Sequence, residues 1–189
     1  MKIIYVIGEP GTGKTTLMKR VFEYLNFSKT PRIQEQFPLV PYHVSESLGI
    51  FMLGKYEDGE VFAGTDRMSM AVQPWAIKFL EDIEKENDDL VIIGEGDRLS
   101  TPTFIEHIVD KYDAIIYYIR AFEEIKKARY RERGSNQSDI WLQGRVTKLN
   151  NIVSMFNMVN GNLHNLKKFD NNNLEDQEKI YQSLIQDLV

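Results

Sequence analysis

Three short stretches of this chain bring together residue types that can handle phosphate. The first, Gly8-Glu9-Pro10-Gly11-Thr12-Gly13-Lys14-Thr15, fits the spacing G-x-x-x-x-G-K-[ST] at every fixed position. Gly8, Gly11 and Gly13 let backbone N–H groups curl around an anion, with Thr12 and Thr16 completing the candidate contacts. Lys14 can bridge the β- and γ-phosphates of a nucleoside triphosphate, and the Thr15 hydroxyl can ligate Mg²⁺. The second stretch, "GEGDRLS", offers Glu95 and Asp97 to the metal's water shell and Arg98 to an acceptor's oxygens. The third, "GTDRMS", offers Asp66 and Arg67. Asp-Arg-(Met/Leu)-Ser is thus written twice, at 66–69 and 97–100, after different kinds of sequence.

The elements that must hold these residues follow from the pattern of apolar positions. "KIIYVI" (2–7) reads as a buried strand entering the glycine loop, and Leu17, Val21 and Leu25 have the spacing of one helix face after it. That strand–loop–helix setting separates a true phosphate loop, or P-loop, from a chance match. "LVIIG" (90–94) lacks polar alternation and reads as a central parallel strand, which puts Glu95, Asp97 and Arg98 at its C-terminal end. "AIIYYI" (114–119) is a third buried strand, and "LHNLKKF" a short last one. Helices are predicted over 68–86, after Thr101 as N-cap with Pro102 at the first helical position, over "EEIKKARYRER", over "DIWLQGRVTKLNNIVSMFNMV", and after Asn173 as N-cap. Residues 27–40 read as a surface connection. "YHVSESLGIFMLGKY" and "EVFAG" read as a hairpin turning at "EDGE".

Strands alternating with helices predict a single α/β domain over 1–189. It is the P-loop NTPase three-layer fold: a central parallel sheet, helices on both faces, an added β-hairpin and an Arg-rich lid. The acceptor-side insertion spans about 27–67 and the lid about 129–148.

Composition narrows the chemistry. There is no cysteine, and His43, His107 and His164 lack metal-ligand spacing, so thiolate chemistry and a zinc site are not expected. No apolar run is long enough to span a bilayer, so no membrane partner is expected and the expected location is cytoplasmic, the host cytoplasm if the chain is phage-encoded. Net charge is −5, but 111–169 alone carries 11 Lys/Arg against 5 Asp/Glu, which points to one localised site for a polyanion. No Asn-Lys-x-Asp guanine motif occurs, which argues against a GTPase. A homodimer is compatible with the sequence.

"VIIGEGDRLS" resembles the element that follows the third strand in thymidylate and deoxynucleoside kinases, and "YDAIIYYIRAFEEIKKARYRERG" resembles their strand–helix–lid module. The resemblance covers most of the chain. It implies an ATP- and Mg²⁺-dependent phosphotransferase in which Thr15, Glu95 and Asp97 hold the metal. Arg129 and Arg133, which share a helix face while Arg131 lies opposite, would clamp the γ-phosphate, Arg129 also touching ATP. Asp66 matches the carboxylate that deprotonates the attacking hydroxyl, with Lys14 completing the catalytic set. Arg67, Gln73, Arg98, Arg145 and Lys148 would contact the acceptor. Asp66 reads alternatively as a helix N-cap, Asp97 and Arg98 as a loop salt bridge, and Tyr42, Phe51 and Trp75 either as stacking partners for a base or as core.

The combination "LGKY…GTDRMSMAVQP…GEGDRLS…RGSNQSDIWLQGR" resembles phage P-loop kinases that phosphorylate 5-hydroxymethyluracil in DNA, a step of base hypermodification. That resemblance implies DNA carrying a modified pyrimidine as substrate. A kinase for free (deoxy)nucleosides or nucleoside monophosphates would use the same core residues. A P-loop binding or regulatory ATPase without an acceptor is the third reading.

Overall fold

The computed structural model describes residues 1–57, 63–135, 137–158 and 165–189. The chain runs β1 (Lys2–Ile7), α1 (Lys14–Tyr24), β2 (Tyr42–Ser45), β3 (Ile50–Leu53), a 3-10 turn (Thr65–Arg67), α2 (Val72–Glu86) and β4 (Val91–Glu95). It continues through α3 (Pro102–Lys111), β5 (Asp113–Arg120), α4 (Glu123–Glu132), α5 (Asp139–Met158), β6 (Leu166–Asp170) and α6 (Leu174–Leu188). The six strands form one sheet in the order β2-β3-β4-β1-β5-β6. Every neighbouring pair is parallel except β2 with β3 at the edge. This is the predicted α/β P-loop NTPase architecture.

Alternation along β1 divides the core in two. Ile3, Tyr5 and Ile7 face a cluster completed by α2, α3 and α5, through residues such as Phe79, Phe104 and Ile152. Ile4 and Val6 face the other cluster, completed by Leu17, Met18 and Val21 of α1 and by Ile180 and Leu184 of α6. After β1 the chain builds one side of the sheet through β3 and β4, then crosses to β5 and β6 on the other. The strand order therefore reverses at β1, and its C-terminal end opens the crevice where such sheets bind ligands.

Three readings change in detail. Helix α2 starts at Val72 and not at 68, with Pro74 in its first turn, where a missing N–H leaves no helical bond unmade. The 27–40 stretch is more than a surface connection: Phe27, Phe37 and Val40 are buried, and Arg32 bridges to Tyr42. The hairpin turn falls within 46–49, where Leu48 and Gly49 donate to Ser45 O, so 42–56 is two strands and not one. The expected turn at "EDGE" falls largely outside the described residues, although Lys55 and Gly64 pair across its base.

The caps read from sequence form as expected. Thr101 Oγ1 accepts from Phe104 N–H at 3.2 Å, and Asn173 Oδ1 accepts from Asp176 N–H at 2.9 Å. Thr101 also donates to Gln73 Oε1 at 2.6 Å, joining α3 to α2. Thr101→Ala removes both bonds and is expected to destabilise the fold by about 1–2 kcal/mol, while Thr101→Ser keeps most of that stability. Urea unfolding of the two variants checks this.

Candidate active site

The glycine loop leaves the C-terminal end of β1 and turns into α1. Gly13 is the N-cap of α1, with φ 89° and no side-chain cap, and a Cβ there would lie 2.5 Å from Asn171 Nδ2. The first turn of α1 carries no acidic residue of its own, which leaves its open N–H groups and dipole suited to an anion. Thr12 is buried and braces the loop by donating to Glu9 O at 2.8 Å, and Thr16 lies exposed in the first helical turn. Lys14 Nζ folds back to donate to Gly8 O (2.7 Å) and Glu9 O (3.0 Å). Burial lowers its pKa, opposed by the carboxylates of Glu95, Asp66 and Asp97.

The parallel pairing of β1 with β4 sets Val6 opposite Glu95 and so brings the β4 loop to the same edge. Thr15 Oγ1 donates to Glu95 Oε1 at 3.0 Å. Glu95 is only 1% exposed, and burial pushes its carboxyl up to about 7, with Lys14 pulling down and Asp66 pushing up. A desolvated carboxylate beside a threonine hydroxyl and a lysine fits a divalent cation, which would supply the charge this pocket lacks. Among the described residues no cluster of three or more His, Cys, Asp or Glu could hold a metal by itself.

The two Asp-Arg pairs meet. Asp66 Oδ1 accepts from Asp97 N–H at 2.5 Å, and Arg98 Nε donates to Met68 O at 3.3 Å, so each loop is tied to the other. Beneath them the buried Tyr5 hydroxyl bonds both Thr65 Oγ1 and Gly96 O, each at 3.0 Å. Asp66 lies within the 3-10 turn and is no helix N-cap.

Several expected acceptor or lid contacts are directed elsewhere. Arg145 and Lys148 of α5, expected at the acceptor, reach Asp97 at 2.5 and 2.7 Å, occupying both oxygens of a carboxylate expected at the metal. Arg67 pairs with Glu57, and Gln73 Oε1 is held by Thr101. Arg98 points to the Met68 carbonyl. Tyr42 and Phe51 stack on each other at 5.0 Å, with Tyr42 also packed on Phe79, so they serve the core, and Trp75 is 37% exposed.

Helix α4 docks on the phosphate loop through Arg129 and through two residues that sequence reading passed over, Lys126 and Tyr130. Lys126 Nζ bonds Glu9 Oε2 at 2.5 Å, and Tyr130 donates to Pro10 O at 2.6 Å. Arg129 Nη1 donates to Gly11 O at 3.1 Å, which places that guanidinium at the loop, where burial and the Arg133 cation hold its pKa down. Arg133 stacks back along the helix, Nε donating to Arg129 O at 3.4 Å, and stays exposed. Asn171, fully buried after β6, donates to Thr12 O at 2.8 Å. Its sequence signal was a run of asparagines that resembles ordinary loop.

The basic half is largely neutralised in three dimensions. Of its eleven cations, Lys111, Arg120, Lys126, Lys127, Arg145, Lys148 and Lys167 form ion pairs with carboxylates. Among the described residues Arg129, Arg131, Arg133 and Lys168 form none, and three of these lie on α4 or at its C-cap.

The model of the family described as P-loop Nucleotide Kinase3 matches residues 1–170. The chain belongs to this P-loop nucleotide kinase family. The kinase is therefore a phosphotransferase, and the crevice at the end of β1 is where its phosphate loop acts. No curated protein matches its sequence. Solved structures that resemble the kinase include an uncharacterized protein from Eubacterium ventriosum ATCC 27560, at 15% identity and a TM-score of 0.44. Others are a shikimate kinase from Bacteroides thetaiotaomicron (19%, 0.46) and a gluconokinase from Sinorhizobium meliloti 1021 (12%, 0.42). Each alignment covers 98% of this chain and 97% of the other. These likenesses are remote. Among the described residues of the kinase no helix is long and apolar enough to cross a membrane.

Glu95 gives the site a pH signature. Its folded-state pKa lies above the ordinary 4.5, so proton uptake stabilises the fold; the gain is complete below about 4.5 and is lost as pH rises through about 7. Without nucleotide, the wild type should lose on the order of 1–3 kcal/mol relative to Glu95→Gln between about pH 5 and 8. Denaturant curves at several pH values test this, and parallel pH dependence in the two proteins would show that Glu95 stays ionised.

Proposed function

We propose that this kinase transfers the γ-phosphoryl group of ATP to the hydroxymethyl oxygen of 5-hydroxymethyluracil in DNA. The observation that carries the hydroxyl-acceptor reading is Asp66. Its carboxylate is fixed by Asp97 N–H at 2.5 Å, in the same crevice as Lys14, Thr15 and Glu95. A hydroxyl oxygen there would form the new bond to the γ-phosphorus while the bond to the β–γ bridging oxygen breaks. Asp66 would take the hydroxyl proton, and ADP would leave. Bound Mg²⁺, held by Thr15 and the Glu95 side of the pocket, would neutralise charge on the β- and γ-phosphates. Lys14, and Arg129 from the loop's far side, would meet the charge that develops on transfer.

The choice of acceptor is supported by the run of motifs from "LGKY" to "RGSNQSDIWLQGR", while the family's description as nucleotide kinases fits an acceptor nucleotide in DNA or free. A base within a duplex would have to be extruded to bring its 5-substituent in line. A free nucleoside or nucleotide acceptor is favoured by a specific observation: most cations of the basic half are spent on internal ion pairs, leaving few for a DNA backbone.

The deciding experiment offers γ-labelled ATP with hydroxymethyluracil DNA, unmodified DNA and a panel of free nucleosides and nucleotides. Label on modified DNA alone is expected, and it should disappear in Lys14→Ala. Label confined to small molecules would assign the second reading. For DNA, the apparent KM should also rise steeply with salt through counterion release. Asp66→Asn retains an oxygen for Asp97 N–H, so it separates proton removal from loop positioning. It should lower kcat by about 10²–10⁴-fold with the ATP KM nearly unchanged, and a collapse of ATP affinity would move Asp66 to the metal site.

A further inference from the structure

We infer that Arg145 and Lys148 of α5 are positioning residues for Asp66, acting through Asp97, an inference that rests on reading Asp66 as the base. Neither cation contacts Asp66 itself; both hold the residue whose N–H holds it.

Asp97 is gripped at every polar atom it has. Its N–H donates to Asp66 Oδ1 at 2.5 Å, and Arg145 Nη1 donates to its Oδ2 at 2.5 Å. Lys148 Nζ lies 2.7 Å from its Oδ1 and donates to its carbonyl oxygen at 2.8 Å. By tying side chain and carbonyl together, Lys148 leaves Asp97 little freedom to turn its N–H away from Asp66. The two cations stand one turn apart on α5, and the Trp141 ring, a turn earlier, lies 4.6 Å from Arg145 Cζ and steadies the guanidinium.

The same peptide group is seated from below. Gly96 C=O and Asp97 N–H belong to one planar unit, so fixing the oxygen directs the N–H. That oxygen accepts from the buried Tyr5 hydroxyl at 3.0 Å and from Ser100 Oγ at 2.7 Å. Gly96 has φ 119°, and a Cβ there would lie 3.0 Å from Asp66 Oδ1 and 2.6 Å from Thr65 Oγ1, so glycine lets the Asp66 carboxylate lie against the peptide. Among the described residues Asp66 spends only Oδ1 on this network, and Oδ2 accepts nothing, which leaves one oxygen for a proton.

The ion pairs are not needed to seat α5, whose Leu149, Ile152 and Phe156 are buried in the core. Partly exposed ion pairs also contribute little stability. What these add is direction: they set the Asp97 N–H and, with it, the Asp66 carboxylate. Misplacing a reacting group by about 1 Å can cost about 10²-fold in rate.

The test is a double-mutant cycle between the α5 pair, Arg145→Met with Lys148→Met, and Asp66→Asn. Rates with γ-labelled ATP are measured on free 5-hydroxymethyl-2′-deoxyuridine and on a single-stranded oligonucleotide carrying the same base, with Tm recorded for every variant. The α5 pair should lower kcat by about 10–100-fold with the KM of ATP and of the acceptor within about twofold of wild type, while Arg145→Lys stays near the wild-type kcat. In the Asp66→Asn background the same two changes should cost less than about twofold, because the group they position is already disabled. A merely structural role would lower Tm and cost rate equally in both backgrounds, which would overturn the inference and leave Asp66 as the base. A raised acceptor KM with kcat kept would also overturn it, by making the two cations acceptor contacts. A fully active Asp66→Asn would overturn the base reading and the inference with it. If neither acceptor is labelled, the acceptor reading fails, and amide hydrogen exchange decides the linkage. Faster exchange at Asp97 N–H in the α5 pair, at an unchanged Tm, supports it, and unchanged protection overturns it.

Discussion

The parallel pairing of β1 with β4, which sets Val6 opposite Glu95, is the constraint on which the whole site depends. Parallel strands finish at the same edge of a sheet, so the glycine loop after β1 and the acidic loop after β4 open side by side. The sheet order makes that edge a crevice, since α1 leads away from one side of β1 and the chain returns by β5 on the other. One consequence is that Glu95 must be buried where the loops converge. Burial is costly for a carboxylate, and the Thr15 hydroxyl and Lys14 offset only part of the cost. A cation entering beside Glu95 would offset the rest of that cost.

Charge in this protein is mostly arranged to hold it together. Lys126 joins α4 to the phosphate loop, Arg145 and Lys148 join α5 to the loop after β4, and Lys167 joins β6 to Asp187 at the C-terminal helix. A linear count of +6 over 111–169 cannot register this, because many of the balancing carboxylates come from elsewhere in the chain. Of the four cations of that stretch that form no ion pair among the described residues, Arg129, Arg131 and Arg133 lie at the end of α4, and Arg129 reaches the phosphate loop.

What the sequence made legible was whatever its local pattern determines. The phosphate loop, the buried strands, the Thr101 and Asn173 caps and the three-layer arrangement depend on residues near one another in the chain. Lys14 and Thr15 stand at fixed spacing within the glycine loop and Glu95 at the end of a strand legible from its apolar run, and the fold brings Thr15 and Glu95 together. Partners chosen by tertiary packing could not be read in this way. Nothing in the order of residues says that Asp97 will take Arg145 and Lys148, or that Arg67 will turn to Glu57. Tyr5 and Asn171 were hidden for a related reason: one sits in a run of apolar strand residues and the other in a polar tract, and only the fold reveals what their polar atoms reach. The doubled Asp-Arg wording turned out to mark two loops that hydrogen-bond each other, which neither copy alone could have disclosed.

The contacts of α4 and α5 tie the arginine-bearing segment to both loops of the crevice. Lys126, Arg129 and Tyr130 fix its near end to Glu9, Gly11 and Pro10, and Arg145 and Lys148 fix its far end to Asp97. Helices α4 and α5 are therefore anchored separately, one on the phosphate loop and one on the loop after β4. A displacement of either loop would be carried into the helix that it holds.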